Sequence, residues 1–522
     1  MQTETRRLNR WSWPFIAAGT TRALLIPAVG AVVASGGVLL THLDFLSLLL
    51  IVPALVYAFI RQSVYSYRFT ESELVVRDGL LTRNVRHISY ERIHNVALVR
   101  NPFHRLLGVT TARIETAAGG KPEALLRVLS LEAADELRRY TLGEEQQVTA
   151  TDSAEARAAD APLLQVPDGE LVRLGLISNR GFILVAAVLG VFSQTNWWNQ
   201  DWVKDQDWLN IIAGVRAKAP DWAAGLLDSG SLAGRVLLGL ALIVFFLVLL
   251  RLLSIAWYLV RYRGFTLQQK DEDLRAEYGL LTQVSSLIPV HRIQLVTVSS
   301  TLLHRCFGRT SIDLETAGAS TADSDLSGPL AASGVNTTRQ WLAPIIETGR
   351  AAGLVHEVLP EVDIEAVEWK PIEARAARRI VNRVAIVVTP ITIVLAAVLT
   401  FSPIPLSGWH ALWLPSVVLT MAWLITRRWV RHAGYALTER AIYFRSGWLS
   451  RRVSVVRFVN MQTVSLNQSP FDHRKRMASV AVDTAGAGGT GHRIRIPFLD
   501  VDVAGSILQR LYAESRSTEF RW

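Results

Sequence analysis

The chain has 522 residues, half of them hydrophobic and 19% charged, with a positive mean hydropathy. That balance excludes one soluble core and favours several domains with membrane-embedded parts. The net charge of +10 suits nucleic acid or an anionic membrane surface, and the hydrophobic runs decide for the membrane, with no nucleic-acid partner expected. The single cysteine, Cys306, excludes an intrachain disulfide framework and any multi-cysteine zinc or iron–sulfur site.

Arg6, Arg7 and Arg10 precede an apolar run too long for a cleaved signal peptide. A membrane-crossing helix needs about 20 mostly apolar residues. Six stretches approach this: Ala23 to Leu40, Phe45 to Ile60, Gly181 to Trp198, Leu232 to Leu250, Ile380 to Phe401 and Trp409 to Thr426. Short links, Thr41 to Asp44 and Ser402 to Gly408, make the first and last pairs antiparallel hairpins. The middle pair is split by a Trp- and Asp-rich segment, Ser193 to Ser231, predicted to lie as an amphipathic flap on the outer surface.

Arg22, Arg61, Arg68, Arg180, Arg251, Arg261, Arg263, Arg378, Arg379, Arg383, Arg427, Arg428 and Arg431 flank the spans on the side opposite the hairpin turns. Positive residues stay in the cytoplasm. The expectation is therefore a multi-pass protein of the plasma (inner) membrane with N- and C-termini and all polar regions cytoplasmic. The spans carry almost no ionisable residues, which argues against a transporter or proton pump.

The polar regions repeat. Gly79-Leu80-Leu81-Thr82 recurs as Gly279-Leu280-Leu281-Thr282, Arg92-Ile93 as Arg292-Ile293, His104-Arg105 as His304-Arg305, and Glu115-Thr116-Ala117 as Glu315-Thr316-Ala317, always 200 positions later (279 − 79 and 315 − 115). A third copy lies 368 positions after the first (447 − 79 and 484 − 116), matching Tyr435, Thr438, Gly447, Pro470-Phe471 and Thr484-Ala485, but with Asp472-His473 where the first copy has His104-Arg105. Short alternating segments predict strands, with Asp78-Gly79 as a turn. A closing helix is predicted at Leu131 to Leu142, N-capped by Ser130, with others at Thr338 to Thr348 and Val503 to Tyr512.

The expected organisation is a first transmembrane hairpin at 1–66, a first β domain at 67–142, a linker at 143–170, and a second hairpin with its Trp-rich loop at 171–261. A second β domain follows at 262–350, a linker at 351–374, a third hairpin at 375–431 and a third β domain at 432–522. The first linker, Gly143 to Glu170, and the Ser-, Gly- and Ala-rich stretch Ala319 to Asn336 read as mobile.

The Phe-Thr strand start, Gly-Leu-Leu turn, Arg-Ile step, His-Arg-x-x-Gly turn and Glu-Thr-Ala-Gly ending resemble the bacterial pleckstrin-homology (PH) domain of membrane proteins in the YdbS/YdbT-like family. The resemblance covers the chain except the linkers and the Trp-rich loop. It implies PH-like domains, each a bent antiparallel sheet closed by a C-terminal helix, and a role in envelope stress or tolerance to membrane-active peptides.

No His-Glu-x-x-His, Gly-x-Ser-x-Gly, phosphate-loop or dinucleotide motif occurs. The chain therefore reads as a non-enzymatic membrane scaffold, without cofactor, metal or catalytic residues. Its PH-like domains are expected to engage anionic lipid of the bilayer, protein partners or further copies of the chain. A component of an efflux system for amphipathic peptides is the alternative.

Arg105 and Arg305 are candidate ligand-binding residues, because a guanidinium grips phosphate or carboxylate in a forked geometry; the competing reading is a brace, for instance to Glu115 or Glu315. Arg474, Lys475 and Arg476 form a candidate lipid-binding patch, with a solvated loop as the alternative. His104 and His304 read as structural, one histidine per unit being too few for a metal. Gly79, Gly279, Gly447, Gly108 and Gly308, with Arg92 and Arg292, read as the structural motif of the repeat, the glycines serving turns with positive φ.

Overall fold

A computed structural model describes residues 6–7, 12–13, 52–142, 162–186, 232–316, 339–401, 413–484 and 494–517, with breaks at 53–54, 57, 61, 71, 80–82, 91–92, 117–123, 184 and 271–272. The Trp-rich loop, most of the first three expected spans, residues 143–161 and the stretch Ala319 to Asn336 lie outside the described residues.

In the first repeat, β1 (Arg6–Arg7) pairs with β2 (Ser66–Phe69), followed by β3 (Glu73–Asp78) and β4 (Asn84–Ser89) in one sheet. Next come β5 (Ile93–Arg100), the short helix α1 (Pro102–Leu106), β6 (Val109–Thr116), β7 (Ala124–Ser130) and the closing helix α2 (Leu131–Leu142). The Ser130 hydroxyl accepts the Ala133 N–H at 3.3 Å and caps α2 where the sequence places it. Leu74 and Ile88 from the first sheet, Ile114, Leu126 and Leu129 from the second, and Leu137 of α2 share one buried core. Each such side chain contributes about 1.5–3 kcal/mol on burial, so the first repeat has a core of its own.

The second repeat starts upstream of its membrane helix with β8 (Leu164–Gln165) and α3 (Asp168–Ile177), then α4 (Leu232–Tyr262), β9 (Thr266–Lys270), β10 (Asp273–Tyr278) and β11 (Gln283–Pro289). It continues with β12 (Ile293–Ser300), the short α5 (Leu302–Cys306), β13 (Arg309–Thr316), β14 (Arg339–Glu347) and α6 (Thr348–Val358). Two expectations are corrected here. The end of the first linker is ordered, because β8 pairs with β9 and α3 packs on α4. Thr338 to Thr348, expected as the closing helix, is instead mostly β14, and the helix follows in residues assigned to a linker. The loop after β6 runs from 117 to 123 and the one after β13 from 317 to 338; that longer insertion breaks the constant offset.

The third repeat contains β15 (Lys370–Pro371), α7 (Ala376–Phe401), α8 (Trp413–His432), β16 (Gly434–Leu437), β17 (Ala441–Ser446) and β18 (Arg451–Arg457). It ends with β19 (Met461–Asn467), the short α9 (Pro470–His473), β20 (Met477–Thr484), β21 (Ile494–Asp500) and α10 (Val501–Ser517). Its core joins Val456, Val480, Ile496 and Leu511 to Ala376 and Val430 at the ends of α7 and α8.

The described residues form two compact units divided within β11, between Leu287 and Ile288. In each, one seven-stranded sheet crosses a repeat boundary, in the orders β7-β6-β5-β11-β10-β9-β8 and β14-β13-β12-β18-β17-β16-β15. The registers are Arg100↔Gln283, Val99↔Val284 and Leu98↔Ser285 in one, and Ser300↔Arg451, Ser299↔Arg452 and Val298↔Val453 in the other. Shifted by the repeat offsets, these are the same pairs of positions.

Two described helices, Gly239–Tyr262 and Ala376–Val398, are long and apolar enough to cross a membrane. Leu242, Ile243, Val244 and Phe245 are consecutive and each more than half exposed, so α4 is apolar all round, which water would penalise and lipid does not. At 31 residues α4 is about 46 Å long, beyond the roughly 30 Å hydrocarbon layer. It runs twelve residues past the Leu250 end expected for the fourth span. The sixth expected span corresponds to α8, less apolar, with Arg427, Arg428 and Arg431 near its end; it packs on α7.

Candidate binding surface at the short-helix turns

The repeated His-Arg motif folds into the short helices α1 and α5, each opened by a polar N-cap, Asn101 or Thr301. Each histidine turns back to bind that cap: His104 Nδ1 accepts the Asn101 N–H at 3.3 Å, and His304 Nδ1 lies 2.9 Å from Thr301 Oγ1. On the other ring edge, His104 Nε2 is 3.4 Å from Thr111 Oγ1, and His304 Nε2 is 3.1 Å from Ser311 Oγ. Burial lowers the pKa of both imidazoles, and Arg100 adds to the effect on His104. Both are thus neutral helix braces. Among the described residues no three His, Cys, Asp or Glu side chains are grouped to hold a metal.

In the third repeat Asp472 replaces the histidine and captures a partner from the membrane helix. Arg379 Nε, on the first turn of α7, donates to Asp472 Oδ1 at 2.8 Å, and Arg379 Nη2 to Ser469 Oγ at 3.3 Å. The two side chains are only 6% and 13% exposed, and the Arg379 guanidinium stacks on Phe471. Burial alone would raise the Asp472 carboxyl; hydrogen bonds from Ser469 and Arg379 and the charge of Arg379 outweigh it and hold the pKa below the usual carboxylate value.

The candidate arginines diverge in use. Arg105 is exposed. Arg305 Nη2 donates to the carbonyls of Trp448 and Leu449, at 3.1 and 3.3 Å, in the turn of the following repeat. Arg428 at the base of α8 lies over the Trp448 ring at 4.9 Å, so this turn joins α5, α8 and the third β domain. Gly447 makes the turn possible: φ is +87, and a Cβ there would stand 1.8 Å from the Ser450 carbonyl oxygen. Gly279 is alike, with φ +116 and a Cβ 2.0 Å from the Thr282 oxygen, and Gly79 has φ +118.

Within the basic run Arg474 and Arg476 are exposed and Lys475 is half-buried. Arg476 Nη2 donates to Asp502 at 3.3 Å. Its φ is +52, and it stands at the position held by Gly108 and Gly308, both at φ +62. Arg92 lies outside the described residues, and Arg292 ends a 3-10 turn beside His291.

Sequence reasoning missed three anchoring arginines. Arg251, counted only among the charges flanking the spans, donates to the carbonyls of Leu176 and Ser178 and to Asn179 Oδ1, satisfying carbonyls at the end of α3. Arg457 bonds the carbonyls of Val290, His291 and Ile293. Arg379 was counted only as a flanking charge; the Asp at position 472, where the other copies have His, was its one visible signal.

A family model described as Bacterial PH domain matches residues 22–145, 224–343 and 382–515, so the second and third matches take in the apolar helices α4 and α7 as well as a β domain. UPF0699 transmembrane protein YdbT of Bacillus subtilis (strain 168) is 21% identical over 430 residues, 80% of this chain and 79% of the relative. No solved structure matches. With three matched regions spanning most of its length, and the described residues of each folded as paired half-sheets, the chain belongs to the bacterial PH domain family and is a YdbT-like transmembrane protein.

Proposed function

We propose that this protein is a non-enzymatic scaffold of the plasma membrane. Six helices, in three hairpins with both termini cytoplasmic, hold three PH-like domains against the inner leaflet, where they engage anionic lipid and protein partners in the response to envelope stress or membrane-active peptides. The observation that carries this reading is the Arg379–Asp472 pair, which ties α9 to the first turn of an apolar membrane helix. Arg474 and Lys475 follow α9 directly, which supports placing them at headgroup level.

Each basic residue near an anionic leaflet contributes about 1 kcal/mol, so two give roughly thirtyfold in lipid preference. The test is lipid analysis of the full chain extracted in polymer-bounded native discs, parent against Arg474→Glu/Lys475→Glu; Arg476 is kept because it pairs with Asp502. Anionic lipid enriched around the parent and lost in the variant supports the reading. Identical lipids around both refute it.

A further inference from the structure

We infer that copies of this chain join head to tail through their sheets, β19 of one copy pairing antiparallel with β4 of the next. This goes beyond the scaffold reading and stands whether or not the basic run binds lipid. The argument is internal repetition. Twice within the chain, the first strand of one repeat's second half-sheet accepts the last strand of the next repeat's first half-sheet: β5 takes β11 and β12 takes β18, in one register. The third repeat supplies β19 in the place of β5 and β12, and among the described residues no strand pairs with its outer side. The first repeat supplies β4 in the place of β11 and β18, and among the described residues its outer side is likewise without a neighbouring strand.

Among the described residues β4 and β19 are accordingly the outer strands of their sheets. Their burial differs from that of their counterparts. Asn84 to His87 of β4 are all exposed, whereas the equivalent Arg452 to Val455 of β18 run from half-buried to buried; β19 is largely exposed after Met461, whereas Ile293 to Thr297 of β12 are all buried. An outer strand presents unpaired backbone donors and acceptors along its length, a template for one more strand. Charged residues often guard such edges, and β4 and its approach carry Arg83 and Arg86. The same positions of β18 carry Arg451 and Ser454, with Arg452 between them, and that strand is paired at Ser300 and Ser299 all the same. Positive charge at this place does not prevent the junction.

A second copy is the occupant the chain itself specifies, since β4 already has the counterpart sequence and register. Carrying the internal registers over by the offsets of 200 and 368 pairs Gln468 with Arg83, Asn467 with Asn84 and Leu466 with Val85. The two surfaces are different, so the contact is heterologous and propagates into a ring or a line of copies.

The experiment is disulfide trapping of the full chain in native membranes, with Cys306 replaced by serine. Val85→Cys and Leu466→Cys in one chain should give a ladder of covalent dimers and larger species on mild oxidation, at least about tenfold above either single-cysteine chain, because disulfide geometry is narrow. Co-expression of differently tagged single variants should give the mixed dimer alone. Val85→Cys with Val464→Cys, displaced by about 7 Å along the strand, should cross-link at least about tenfold less, since such a separation exceeds what a disulfide spans. Arg83→Cys with Gln468→Cys tests the same register without touching a packed side chain. Only intrachain bridges, like-with-like dimers, or no cross-link from either pair in a chain that purifies as a monomer would overturn the inference.

Discussion

Asp472→Asn removes the charge that Arg379 is paired with while keeping the side chain's size. At 2.8 Å and an effective dielectric near 20, the attraction is about 6 kcal/mol before desolvation. Most of that offsets the cost of taking two largely buried charges out of water. Leaving the Arg379 guanidinium buried without its carboxylate should cost about 3–5 kcal/mol, whereas Arg379→Met with Asp472→Leu together should come close to the parent. The assay is hydrogen–deuterium exchange of the purified chain, following amides of α9 and the start of β20. Local opening eased by that much speeds exchange by roughly two to four orders of magnitude. Because the folded carboxyl binds its proton less tightly than an ordinary one, the pair's contribution is present above the ordinary value of 3.8 and is lost as pH falls through the lower folded value. Single variants that exchange within about threefold of the parent, or a double variant as open as either single, would refute the reasoning.

Arg476→Gly should raise Tm: it relieves about 1–2 kcal/mol of left-handed backbone strain and gives up an ion pair with both members more than two-thirds exposed, worth about 0.2–1 kcal/mol. Gly447→Ala should lower stability by about 1–3 kcal/mol and free the Arg305 guanidinium, seen as faster exchange at Trp448 and Leu449. His304, held neutral by burial, should make stability fall as pH drops below the ordinary 6.5 toward its lower folded value, by at most about 1.4 kcal/mol per pH unit. In thermal melts between pH 7 and 5, His304→Gln should flatten that slope.

Much of the architecture is legible in side chains. The offsets of 200 and 368 align strands, turns and short helices, because Gly79, Gly279 and Gly447 answer one backbone requirement at one place in each repeat. Helix α2 falls where Ser130 and the spacing of Ala133, Ala134 and Leu137 put it. The joining of β5 to β11 and of β12 to β18 left no comparable mark, since edge-to-edge pairing is made by backbone groups that every residue carries. Closing helix α6 was misplaced because an insertion before β14 changes loop length without changing fold. The strained Arg476 was within reach: adding 368 to Gly108 lands on it. The Arg379–Asp472 pair was not, because its members are 93 positions apart and charge near a span end has several uses.

The placement of the β domains beneath the cytoplasmic leaflet can be tested on the unaltered chain through Cys306, the sole cysteine, exposed at the end of α5 in the second repeat. A membrane-impermeant maleimide should leave it unmodified in intact cells and label it once the membrane is permeabilised. Labelling of intact cells to the same extent would put that domain outside and contradict the account.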